Sequence, residues 1–140
     1  MLLAWTLITF SAGWFFFGGP FNAELVGAAS RGDAPKVRRL LRWGASPNSY
    51  HLEGSSALWW AVSSGSLETV QLLLEKGADP NSRGQWNSVI EQAAALAPEP
   101  WDREQERRAI VRALLDRAAQ IRDPAQVKLL KDALQKKPTK

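Results

Sequence analysis

Residues 54–81 read GSSALWWAVSSGSLETVQLLLEKGADPN, two short amphipathic patterns with Gly65 between them and a Gly77-Ala-Asp-Pro-Asn81 exit. A second copy lies upstream. Leu25/Leu58, Ala28/Ala61, Gly32/Gly65, Val37/Val70, Leu40/Leu73, Leu41/Leu74, Gly44/Gly77, Ala45/Ala78, Pro47/Pro80 and Asn48/Asn81 are all separated by 33 residues. So many matches at one spacing, each in the same chemical role, identify a repeat protein.

The period and these residues resemble the ankyrin repeat, whose pattern is a β-turn, a T-P-L-H-x-A-A helix, a glycine turn, a V-x-x-L-L helix and G-A-D-x-N. Ser56-Ala57-Leu58-Trp59-Trp60-Ala61-Val62 stands at the first helix, with Ser for Thr and with the Pro and His lost. Gly65, Val70, Leu73, Leu74, Gly77, Ala78, Asp79 and Asn81 match the remainder. The residues make physical sense in these places. Gly65 suits a left-handed helix C-cap. Ala61 lets neighbouring helices approach closely, and Leu73 and Leu74 fill the layer between repeats. The resemblance implies an all-α helical solenoid with short β-turn fingers, and a non-catalytic module that binds another protein.

The 140 residues suit one modest domain or an array of three to four repeats. A formal charge of +4 against 14 acidic residues is too balanced to argue for nucleic acid. The chain has no cysteine, hence no disulfide and no thiolate metal site.

Met1–Phe21, MLLAWTLITFSAGWFFFGGPF, carries no charged side chain. Its apolar run from Leu2 to Phe17 is slightly short of the ~20 residues of a membrane-spanning helix, and Gly18–Phe21 can extend it. An export signal needs a basic start, which is missing. A retained membrane helix is therefore the favoured reading, ahead of an export signal and of a soluble helix. Trp14, Phe15, Phe16 and Phe17 suit a membrane interface, and Thr6, Thr9 and Gly13 fall on one face suited to helix–helix contact in lipid. Arg31, Lys36, Arg38, Arg39 and Arg42 follow the segment and nothing basic precedes it, which places the repeats on the cytoplasmic side. Under the export reading the chain is periplasmic or secreted.

The repeat domain is expected over 22–140, with repeats at about 22–50, 51–83 and 84–120. Asn22 is the expected N-cap of a first helix Ala23–Ser30, with Phe21 and Val26 as a hydrophobic staple. The partner helix spans Ala34–Trp43, and the second repeat's helices span Ser56–Ser64 and Leu67–Lys76. Trp59 and Trp60 are read as filling between stacked helices. In the third repeat, Ser88–Ala94 aligns with Ser56–Val62 at an offset of 32, whereas Val111, Leu114, Leu115, Ala118 and Ala119 align with Val70, Leu73, Leu74, Gly77 and Ala78 at 41. About nine residues are thus inserted around Ala97–Glu104, including Trp101, a lid over the stack or a partner contact. A capping helix follows at about 123–137, with Asp123 as N-cap and Pro124 at its first position. Val127, Leu130 and Leu134 share one face of it. The basic tail Lys136, Lys137 and Lys140 is read as a solvated end, with contact to anionic lipid as the alternative if the domain lies near a membrane.

Nothing points to catalysis, a cofactor or a bound metal. His51 is the one imidazole, and no phosphate loop, dinucleotide fingerprint or HExxH pair is present. By resemblance, partner contacts come from finger tips and the exposed side of each first helix. Matched by position, that nominates Tyr50, Leu52, Glu53, Ser55, Ser63, Ser64, Arg83, Gln85 and Trp86, with Trp101 on the insertion. Tyr50 and Trp86 are the favoured anchors. Two functions follow: an accessory subunit anchored in a membrane complex, or an exported adaptor of the inhibitor or immunity type that covers an enzyme.

Overall fold

The computed structural model describes residues 19–95 and 103–136. Helices α1 (Gly19–Ser30) and α2 (Ala34–Arg42), α3 (Ala57–Ser64) and α4 (Leu67–Glu75), and α5 (Val89–Ala95) and α6 (Glu104–Leu115) form three antiparallel pairs. A 3-10 turn (Ala118–Gln120) leads to α7 (Pro124–Gln135). The first helices stack in the order α1, α3, α5 and α7, and the second in the order α2, α4 and α6. Among the described residues no helix is long and apolar enough to cross a membrane. Met1–Gly18, with Thr6, Thr9 and Gly13, lies outside them, as does Trp101.

The period of the sequence is the period of the core. Leu25 and Leu58, Ala28 and Ala61, Val37 and Val70, and Leu40 and Leu73 are all buried at equivalent places in successive layers. Ile90, Ile110, Leu114 and Leu130 continue the core to the C-terminal cap. Each large side chain so buried contributes about 1.5–3 kcal/mol against the entropy of ordering the chain. Local signals place the helix ends. Ser56 accepts the Trp59 N–H and Ser66 accepts the Thr69 N–H, both as N-caps. Gly65 closes α3 in the left-handed conformation at φ 74°, as its position implies. Asp123 caps α7 through the Ala125 N–H, and Pro124 opens the helix.

Four expectations are corrected. Helix α1 starts at Gly19, so Asn22 lies inside it and is not its N-cap. The Asn22 amide oxygen instead accepts the Ser46 N–H at 2.9 Å, tying α1 to the turn after α2. The staple gives way with it, since Val26 is buried in the core while Phe21 packs on Trp43 at 5.9 Å between centroids. Part of the insertion is helical: Glu104–Arg107 add a turn to the front of α6 ahead of the position aligned with Leu67. There Glu104 pairs with Arg107 at 2.8 Å and with Arg108 at 2.6 Å. Arg108 also donates to the Leu134 and Lys136 carbonyls, holding the C-terminal end of α7.

The fourth correction concerns the turns between repeats. Asn48 donates to the Gly77 carbonyl at 3.1 Å and accepts the Asp79 N–H at 2.7 Å. Asn81 repeats this bidentate link, donating to the Gln120 carbonyl at 2.8 Å and accepting the Arg122 N–H at 2.9 Å. The turn at Gly77–Asp79 therefore corresponds to Gln120–Arg122, two residues beyond the alignment with Ala118. The extra residues form the 3-10 turn, and buried Ile121 takes the place that Ala45 and Ala78 hold in the earlier turns.

Candidate functional site

Two fingers project beside each other at the edge where α3 and α5 begin. In the first, Tyr50 bridges Ser56, the His51 N–H donates to the Ser55 carbonyl at 2.8 Å, and the Gly54 N–H donates back to His51. Leu52 stands at its tip. In the second, Arg83 bridges Ser88 and the Gly84 N–H donates to the Asn87 carbonyl at 2.8 Å, leaving Gln85 and Trp86 at the tip. The fingers are laced together at their bases. The Ser56 N–H donates to the Arg83 carbonyl, the Gln85 N–H donates to the Ser55 hydroxyl, and the Ser56 and Ser82 hydroxyls share a bond of 3.0 Å. These hydrogen bonds fix the two short loops to each other and to the scaffold that positions them.

What they display is apolar. Tyr50 is 52% exposed, Trp86 80% and Leu52 fully so. Trp86 is thus a surface side chain and no part of the core. Glu53, Arg83 and Gln85 are also exposed and give the tips a charged rim. The remaining nominated residues sit differently. Ser55 is buried and is no surface contact, because its hydroxyl holds the neighbouring finger. Ser64 is half-buried and its hydroxyl donates to the Ala61 carbonyl. Ser63 is half-buried too, with its hydroxyl oxygen shut from solvent and unpaired among the described residues.

The two tryptophans of α3 pack against the core, as their positions imply. They meet edge to face at 5.1 Å, and Trp59 Nε1 donates to the Asn87 side chain at 2.8 Å. Trp59 therefore builds the second finger from beneath. Gly84 lies so close over the indole that a Cβ there would stand 2.3 Å from it. A capping box fixes the far side of that finger. Ser88 accepts the Glu91 N–H, and Glu91 accepts the Ser88 N–H at 2.7 Å, which lowers the Glu91 pKa. The Ser-x-x-Glu spacing is a readable signal that the position-by-position alignment passed over.

Beside it a polar cleft of about 280 Å³ is lined by Asn81, Arg83, Ser88, Glu91, Arg122, Asp123 and Gln126. It offers hydrogen bonds and both signs of charge, but no nucleophile aligned with a base. His51 is exposed on its finger, where its Nδ1 accepts the Glu53 N–H at 3.4 Å. Among the described residues no group of three His, Asp or Glu is placed to hold a metal ion. Sequence matching also missed a further exposed aromatic, Trp43 at 56%, packed on Phe21 and covered by the Arg39 guanidinium at 5.5 Å. The signal was its counterpart 33 residues on, the exposed Lys76, which marks a surface position.

No match is found among curated proteins. A model of ankyrin repeats, in three copies, matches residues 25–125. With the stacked helix pairs, the laced fingers and the 33-residue core in register, the chain belongs to the ankyrin repeat family, a family of protein–protein interaction modules.

Proposed function

We propose that this protein is a non-catalytic accessory subunit that binds another protein through its finger tips while its uncharged amino-terminal stretch holds it at a membrane. The observation that carries the binding role is the display of Tyr50, Leu52 and Trp86 on two adjacent, hydrogen-bonded fingers. Exposing large apolar side chains on ordered loops costs solvation, and aromatic side chains so placed are the usual anchors of an interface. Glu53, Arg83 and Gln85 form the polar rim that gives such an anchor its orientation. The membrane role is supported by Met1–Gly18, which carries no charge and runs directly into α1, and by the basic residues that follow. The repeats then lie on the cytoplasmic side.

The test is affinity capture from native membranes with the full chain and with Leu52→Ser and Trp86→Ser. Loss of a hot-spot anchor weakens recovery of the same partner by about 30-fold or more. Equal recovery with both variants removes the fingers as the binding edge. Carbonate washing tests the anchor separately: a protein stripped from membranes is not held by its first eighteen residues.

A further inference from the structure

One exposed patch is not used by the fingers. Helices α1 and α2 run antiparallel, so the start of α1 meets the end of α2 and brings Phe21 against Trp43. Both rings reach solvent, at 36% and 56% exposure. The Arg39 guanidinium lies over the Trp43 face, and exposed Arg42 is its immediate neighbour. The other cations of α2 are engaged: Lys36 binds Glu24 and Arg38 binds Glu68, each at 2.7 Å. Among the described residues Arg39 and Arg42 form no salt bridge, although, behind the Lys36 hydrogen bond and charge, the Arg39 charge helps to lower the Glu24 pKa. The patch therefore combines an exposed aromatic pair with two arginines that no salt bridge ties up among the described residues.

Its place along the chain identifies the surface that it fits. Phe21 lies two residues inside α1, about 3 Å along the axis from Gly19, and the eighteen residues before Gly19 are uncharged. If that stretch occupies a bilayer, the patch comes to the headgroup layer with no linker between them. Aromatic rings are favoured at that depth, and Arg is favoured beside anionic phosphates.

We infer that Phe21, Trp43, Arg39 and Arg42 form a landing patch that docks the amino-terminal end of the repeat stack on an anionic lipid surface. The inference rests on the membrane reading above, and it adds the orientation of the domain. Docking this end holds the first repeat against the bilayer and directs the array away from it.

Because the chain has no cysteine, a single probe can be placed cleanly. Ala23→Cys, exposed in the first turns of α1 two residues after Phe21, and Gln105→Cys, exposed on α6, each carry an environment-sensitive fluorophore in the full chain. The chain is reconstituted in vesicles of phosphatidylcholine, alone or mixed with phosphatidylserine, that contain a quencher near the headgroups. Quenching is expected at Ala23 and not at Gln105, and more strongly with phosphatidylserine. Arg39→Gln with Arg42→Gln lowers the docking equilibrium constant by roughly fivefold per charge. Trp43→Ser removes the quenching while thermal unfolding of the domain stays cooperative, which shows that the fold is retained.

A probe at Ala23 that remains in water on both vesicles overturns the inference, whether or not carbonate extracts the protein. If carbonate extracts it, the anchor reading fails by itself, and quenching at Ala23 still decides whether the patch meets lipid. A probe shielded equally in lipid-free protein means that the chain's own first residues cover the patch, which also overturns it. Quenching at Gln105 equal to that at Ala23 refutes the orientation.

Discussion

Replacing Asn81 by Ala should uncouple the carboxyl-terminal cap from the rest of the stack. Asn81 sends two hydrogen bonds across to the next turn, to the Gln120 carbonyl at 2.8 Å and from the Arg122 N–H at 2.9 Å. A third, to the Asp79 carboxylate at 2.8 Å, holds the amide in the plane that both require. Each bond contributes about 0.5–1.5 kcal/mol net. The site is open enough for water to replace the lost partners, so the two cross-turn bonds sum to roughly 1–2 kcal/mol. In a repeat array that loss falls on one interface rather than on every layer. Native-state hydrogen exchange should therefore show the opening energy of α7 falling by about that amount, with α1 and α2 nearly unchanged. Asn81→Asp is a sharper variant, because it retains the acceptor for Arg122 and sets a carboxylate against the Gln120 carbonyl. It should be no better than Ala. A change below ~0.5 kcal/mol in α7, or an equal loss in all helices, would refute the idea that these turns are separate couplings.

Two further predictions concern single contacts. Glu104, clasped by Arg107 and Arg108, has its pKa lowered from 4.5 to about 2. The folded state thus binds its proton less readily than the unfolded chain. The stabilisation is complete above about pH 4.5 and is lost as the pH falls toward 2. Partial solvation of Arg108 screens the pair, which leaves on the order of 1–3 kcal/mol. Unfolding free energies of wild type and Glu104→Gln from urea titrations should differ by that amount at pH 7 and converge in acid, and a gap independent of pH would show that charge is not the source. Gly84→Ala drives a methyl into the Trp59 indole and strains its bond to Asn87, at about 1–3 kcal/mol. Adding Trp59→His should recover most of the loss in a double-mutant cycle, and additive costs would mean that the two sites do not touch.

How much of this could be read from the chain depends on what repeats. Each ankyrin layer presents the same surface to the next, so a side chain facing the core recurs at the same offset. That is why the pairs Leu25/Leu58, Val37/Val70 and Leu40/Leu73 located buried positions correctly. Caps are legible for a second reason: Ser56, Gly65 and Asp123 act on backbone groups within a few residues of themselves. The apolar finger tips were legible by position as well, and Tyr50, Leu52 and Trp86 are indeed exposed. Ser55, nominated by the same logic, is buried, because its partner Gln85 lies thirty residues away.

The sequence alone determined the fold, the number of layers and the core positions that recur between the first two repeats, since those follow from periodicity and local backbone chemistry. Only the tertiary structure decided the register of the last turn, where Ile121 replaces Ala78 because Asn81 reaches Gln120 and Arg122 across 39 and 41 residues. It alone brought Phe21 to Trp43, which the sequence separates by a whole helix hairpin. No local pattern records such a contact; the antiparallel packing of α1 on α2 creates it.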